Sequence, residues 1–275
     1  MSSAFYVPEG GHFVSTELTR GPWDGGSQHA GPPAALLGRA VEQCPSPVEG
    51  ERTWQVGRIT YEILRPVPIA PLTVSARVER PGRSVELVSA TLAADGTEVM
   101  RALAWRLAVS SVDIPPGLAS EDPQSPIRGT EPPAPPQEGA EGDLFFPTGH
   151  EVGHHTAMEY RFVAGRFLEP GPATVWMRMR HPLVADEEPS PLQRVLIAAD
   201  SGNGVSATLD FTRFIFINVD LTVHLNRMPV GEWVCLDAIT VPEPTGVGLS
   251  DSALHDERGP IGRAMQTLLV RERER

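Results

Sequence analysis

Asp200, Asn218 and Gln266 stand far apart in the chain, yet together they suit one kind of reaction. A carboxylate can act as general base towards water while two side-chain amides hold that water or polarise a carbonyl. Nothing resembles a covalent nucleophile, since no Gly-x-Ser-x-Gly elbow occurs. All 23 basic residues are arginine, which excludes Schiff-base chemistry and lysine-dependent phosphate loops. His150, His154 and His155 cluster in Gly-His-Glu-Val-Gly-His-His, but their spacing matches no standard zinc pattern, and a solvated turn is expected there. The net charge of −12 argues against nucleic acid or an anionic membrane as partner.

The three residues stand out because the chain repeats itself. Thr60 and Arg65 recur as Thr222 and Arg227, and Arg101-Ala102 recurs as Arg263-Ala264, always 162 positions on. The segment 29–43 falls on 191–205 at the same offset. At that offset Asp200 corresponds to Gly38, Asn218 to Val56 and Gln266 to Ala104. Polar groups kept in only one copy point to one site per chain.

The elements that must carry these residues follow from periodicity and punctuation. Residues 12–18 read as a strand, and the Gly- and Pro-rich run 21–33 leads into a helix over 34–44. Strands are expected at 53–65, 71–80, 84–94 and 97–109, with Pro81-Gly82 and Asp95-Gly96 as turns. Residues 111–150 hold nine of the 28 prolines and seven acidic residues against Arg128 alone, the composition of a solvated linker. Strands at 156–167 and 174–181 then precede a helix over 190–200. Ser190 is its N-cap, Pro191 its first residue, and Gly202 and Gly204 its stops. One continuous strand is expected at 213–226. Between Asn218 and Asn226 it alternates Asn, Asp, Thr, His and Asn with Val, Leu, Val and Leu. Further strands follow at 231–241, 246–255 and 260–272. The expected architecture is α+β, a duplicated unit in which a long helix is wrapped by a curved antiparallel sheet. Its parts are 1–112, a Pro-rich acidic linker at 113–150, and 151–275. Two cysteines, Cys44 and Cys235, no signal peptide and no long apolar run fit a cytoplasmic setting.

Four segments carry a family resemblance. They are Trp23-Asp-Gly-Gly-Ser-Gln-His-Ala-Gly31, Ile197-Ala-Ala-Asp-Ser201, Asn218-Val-Asp-Leu-Thr-Val-His-Leu-Asn-Arg227 and Gly262-Arg-Ala-Met-Gln266. In these the chain resembles the type II acyl-CoA thioesterases, whose fold is a double hotdog of two tandem repeats. The resemblance implies hydrolysis of an acyl-CoA thioester by a water that an Asp, a Thr or Ser, and a Gln activate. The Asp falls on Asp200 and the Gln on Gln266. The Thr position holds Asn218, a departure, with Thr222 as the alternative one pleat repeat along. Backbone amides at the helix start after Gly31 would polarise the carbonyl, with His29 in the same wall. No cofactor and no metal are implied, and a homodimer is expected. Two other readings are a non-catalytic acyl-CoA sensor and an enoyl-CoA hydratase. The hydratase needs an Asp and a His paired in one short motif, and Asp24 and His29 have the wrong spacing.

Overall fold

The computed structural model describes residues 3–120, 133–141 and 148–273. In chain order it runs β1 (Tyr6–Glu9), β2 (His12–Ser15), α1 (Gly31–Gln43), β3 (Trp54–Ile63), β4 (Pro71–Arg80), β5 (Val85–Ala94) and β6 (Thr97–Ala108). The second part contains β7 (Ala140–Glu141), α2 (His154–Ala157), β8 (Met158–Ala164), β9 (Ala173–Met179), α3 (Pro191–Ala199) and α4 (Gly202–Val205). It ends with β10 (Phe214–Asn218), β11 (Asp220–Leu225), β12 (Val234–Pro242), β13 (Val247–Asp256) and β14 (Gly259–Glu272). Every strand pairing among these elements is antiparallel.

The strands form one sheet, in which β3 of the first half pairs with β11 of the second. The repeat is visible in the register. Thr60 lies opposite Thr222, Ile59 opposite Val223 and Tyr61 opposite Leu221, so a pseudo-twofold axis passes through the threonine pair. The Thr222 hydroxyl donates to that of Thr60 at 3.2 Å. The offset of 162 also holds across the neighbouring strands. Ser89 faces Leu103 as Asp251 faces Met265, and Ala76 faces Ala90 as Ala238 faces Ser252.

Alternation on the strands places one apolar set against the helices. Ile59, Tyr61, Val88, Leu92, Leu221, Val223 and Leu236 are all buried. The helices α1 and α3 supply the complementary stripe through Leu36, Leu37, Leu192, Val195 and Leu196, in one shared core. Burial of each such side chain contributes about 1.5–3 kcal/mol. The two helices pack antiparallel at the centre. The start of α1 lies against the Ile197 carbonyl, while Arg39 forms a double hydrogen bond with Glu187 and Glu42 accepts from Ser190.

Three expectations are revised. The strand read at 213–226 is two strands, because the pairing with β14 slips by one residue between Asn218 and Thr222. The same irregularity recurs in the first half between Val56 and Arg58. The stretch 12–18 is the second arm of a hairpin followed by a 3-10 turn at Glu17–Thr19. Gly202 and Gly204 do not stop the second helix. They continue it as α4 after a break at Asp200 and Ser201. Within 113–150, Ala140–Glu141 forms a short edge strand on β8, and Trp176 donates its indole N–H to the Ala134 carbonyl. Residues 121–132 and 142–147 of the expected linker lie outside the described residues.

A Cβ on Gly38 would run into the Leu196 side chain, so this glycine sets the approach of α1 to α3. Gly38→Leu should destabilise the fold by about 1–3 kcal/mol through overpacking. Thermal melting checks this, and an unchanged midpoint would mean the helices have slack at the crossing.

Candidate active site

The site begins with a helix that breaks. Ser190 caps α3 by accepting from the Gln193 amide at 3.2 Å, and the helix runs to Ala199. Asp200 follows as the C-cap. The chain then turns into α4, which lies directly on the sheet. A Cβ on Gly202 would meet the Ser252 hydroxyl at 2.6 Å and Gln266 Oε1 at 3.3 Å, so only glycine lets α4 sit there. The break leaves the Asp200 side chain 4% exposed, between helix and sheet.

The bulge at Val219 delivers the second residue. Val219 itself is exposed, whereas Phe216 before it and Leu221 after it are buried. Without the slip, the period-two pattern would put Asn218 on the same face as Thr222. With it, Asn218 shares the inward face of Phe216 and donates from Nδ2 to Asp200 Oδ1 at 2.8 Å and to the Asp220 carbonyl at 3.1 Å. Gln266 comes from the middle of β14 and is 2% exposed. Its Nε2 donates to the Asp200 carbonyl at 3.0 Å and to Asp200 Oδ1 at 3.2 Å, while its Oε1 accepts from the Asn203 amide at 3.1 Å. The Asn203 contact fixes which end of the Gln266 amide faces Asp200.

The third partner comes from the other half. Its loop is held by main-chain bonds, Gly21 N–H to Ser27 O and His29 N–H to Thr19 O, both 2.8 Å. Gln28 is pinned between the Tyr6 hydroxyl and the Pro68 carbonyl, each at 2.7 Å. This brings His29 Nδ1 to 3.0 Å from Asp200 Oδ2. The Gly31 amide also points at that nitrogen, at 3.1 Å. One nitrogen cannot both donate and accept in its ring plane. With the proton placed on Nδ1 towards Asp200, the Gly31 N–H faces a ring nitrogen that no longer accepts from it.

His154 completes the group. It is 1% exposed and its ring stacks on His29 with centroids 3.9 Å apart and planes within 6°. Its Nδ1 lies 3.3 Å from the Tyr160 hydroxyl. The turn expected at 150–155 is therefore not solvated throughout, because α2 docks on the first half through the His154 amide and the Arg20 carbonyl. A small cavity of about 30 Å³ opens beside these rings, bounded by Trp23, His29, His154, Phe167, Asn203 and Val205.

Among the six residues singled out from sequence, Asp200, Asn218, Gln266, His29 and Gly31 come together. Thr222 does not join them. It lies four residues beyond Asn218, about 13 Å along a strand, and its hydroxyl engages Thr60 at the pseudo-twofold axis. The sequence reading missed His154. Its only signal was the histidine run, whose spacing says nothing about a stack with a ring more than 120 residues earlier. Among the described residues, no cluster of three or more His, Cys, Asp or Glu side chains is arranged to hold a metal ion.

Burial holds His154 well below its usual 6.5, reinforced by the rings of His29 and His155. The unfolded chain therefore binds this proton below about pH 6.5 while the folded chain resists it. Its stabilising contribution is full above that pH and is lost as the pH falls below it. His154→Phe, which keeps a ring in the stack, should flatten the decline of the melting temperature between about pH 7 and 5. An unaltered slope would contradict the assignment.

The chain matches the acyl-CoA thioesterase N-terminal domain family over residues 19–107 and the C-terminal domain family over residues 128–270. No curated protein matches it. Among solved structures it is similar to a candidate thioesterase II from Thermobifida fusca, with 18% identity, TM-score 0.67, and 98% of this chain and 96% of that one covered. A hot dog fold protein of unknown function from Alicyclobacillus acidocaldarius is 16% identical with TM-score 0.71, covering 96% and 93%. The acyl-CoA thioesterase II TesB2 from Mycobacterium marinum is 16% identical with TM-score 0.61, covering 90% and 91%. At these identities the structural likeness establishes the double hotdog fold. The domain matches, which take in both halves, establish that this chain belongs to the acyl-CoA thioesterase family of thioester hydrolases.

Proposed function

We propose that the chain hydrolyses acyl-CoA to free acid and CoA at the Asp200 cluster, with Asn218 and Gln266 as its two amide members. The observation that carries this reading is a buried carboxylate bonded to two side-chain amides and to an imidazole that lines a cavity. Such a charge in a water-poor site is well placed to drive deprotonation of an attacking water. The thioester carbonyl is assigned to the α1 N-terminus, where the helix dipole favours a developing oxyanion; Gly31 supplies the N–H of that turn, because Pro32 and Pro33 carry none and the Ala34 N–H is bonded to the Ala30 carbonyl. Asn218 fills the position of the family Thr, and the Asp200 contact supports it over Thr222 for that role.

The setting of this reading is the cytoplasm, where the buried free thiols Cys44 and Cys235 stay reduced. Among the described residues no helix is long and apolar enough to cross a membrane. The domain parts remain 1–112, 113–150 and 151–275, and a homodimer belongs to the same reading. Exposed Ile239, Val241, Leu249 and Met265 on the outer face of β12–β14 offer an apolar surface for a second copy.

A second reading, enoyl-CoA hydration, is favoured by the Asp200–His29 contact, which supplies an Asp–His pair from two halves rather than from one motif. Thiol release from acyl-CoAs of graded chain length separates the readings. Wild-type protein should release thiol, and Asp200→Asn should lose about 10²-fold or more of kcat with an unchanged melting temperature. Tight binding without release would favour a sensor, and hydration of an enoyl-CoA without release would favour the hydratase.

A further inference from the structure

We infer that His29 is the general base of the hydrolysis, and that Asp200 acts through it as a positioning residue. This deepens the proposed function and rests on it.

The Asn218 amide has two N–H groups, and both are engaged, one by Asp200 Oδ1 and one by the Asp220 carbonyl. The Gln266 Nε2 reaches both the Asp200 carbonyl and Oδ1. Each amide nitrogen is already shared between two protein acceptors, one of them Asp200 Oδ1. Their task is to hold Asp200. The carboxylate is similarly occupied, because Oδ1 accepts twice and Oδ2 faces His29 Nδ1. Three of its roughly four lone-pair positions are taken, so little of it remains to meet an incoming water.

The ring it holds is better placed. With the proton on Nδ1, the lone pair of His29 is on Nε2. The His29 side chain keeps 15% of its surface exposed, against 4% for Asp200, and it lines the cavity. The titratable groups packed against this ring are Asp200 at its Nδ1 edge and His154 on its face. Burial disfavours a charge on His154, so it adds little repulsion when His29 becomes an imidazolium. The charge that develops is then met by Asp200, as in other Asp–His pairs that keep one tautomer and one orientation.

The step balances within the established chemistry. Nε2 takes a proton from water as the water oxygen bonds to the thioester carbon, and the carbonyl electron pair moves onto oxygen. Collapse of that adduct breaks the C–S bond and expels the CoA thiolate. The imidazolium returns its proton to the sulfur, leaving the acid, free CoA and neutral His29. The duplicate position carries no such pair, since Pro191 stands at the equivalent of His29 and Gly38 at that of Asp200.

The test is thiol release by wild type, His29→Ala, His29→Gln and Asp200→Asn, with and without added imidazole. Both His29 variants should lose about 10²–10⁴-fold in kcat, with KM within a few-fold of wild type. Imidazole should restore His29→Ala at least tenfold and leave Asp200→Asn unaffected. His29→Gln keeps the volume of the ring and guards against a folding defect, which melting curves report. A natively folded His29→Gln with near wild-type kcat overturns the inference, as does a folded His29→Ala that imidazole does not restore. A wild-type protein without any thiol release would instead sink the hydrolase reading itself.

Discussion

A carboxylate buried between a helix and a sheet must be compensated. Removing an ionised group from water costs several kcal/mol, and a hydrogen bond to a charged group contributes about 1.5–3 kcal/mol. Asp200 receives N–H donors from Asn218 and Gln266 and faces the His29 ring, a number sufficient to offset that cost. Three local irregularities serve this arrangement. The α3–α4 break points the carboxyl at the sheet, the bulge at Val219 turns Asn218 inward, and the rigid loop before α1 brings His29 across from the other half. Removal of any one donor leaves the charge short of a partner.

Duplication gives this arrangement a built-in comparison. Both halves keep the same register, the same bulge and the same helix position, but they differ beneath the helix. In the second half Asn203, Ser206, Thr240, Ser250, Ser252 and Gln266 are buried. Their equivalents in the first half, at the offset of 162, are Val41, Cys44, Val78, Val88, Ala90 and Ala104. Ser206 and Thr240 share a hydrogen bond at 2.8 Å, so the second half forms a polar bed on which α4 and the broken helix can sit. The first half stabilises its unbroken helix differently. Arg106 reaches from β6 to donate to the Val41 and Cys44 carbonyls at the end of α1, and Glu86 balances its charge at 2.7 Å. One half is built for an uninterrupted core and the other for an interrupted helix with a charge at the break.

A composite site also explains how one chain can work without a second equivalent centre. The pseudo-twofold axis at Thr60 and Thr222 generates a mirror location where Pro191, Gly38, Val56 and Ala104 would stand. None of these has a titratable side chain. The corresponding end of the helix pair is closed by Arg39, Glu187, Glu42 and Ser190, which tie the two helices together. The polar groups at that end serve packing, whereas at the other end Asp200, Asn218 and Gln266 hold His29 at the edge of the cavity.

Much of this was legible in the chain alone. Period-two alternation, turn dipeptides and the fixed offset of 162 determined the helices, most strands, the duplication and the asymmetry that singles out Asp200, Asn218 and Gln266. These are local or self-referential signals, so they are carried by the order of residues alone. Alternation also misled, because a bulge adds one residue to a strand without changing its composition. It put Asn218 and Thr222 on one face, when Asn218 meets Asp200 and Thr222 meets Thr60. The tertiary structure alone decided that His29 and Asp200 are partners and that His154 lies under the ring. Those contacts join residues more than 120 positions apart through the packing of two halves, and no spacing along the chain encodes a distance across that interface.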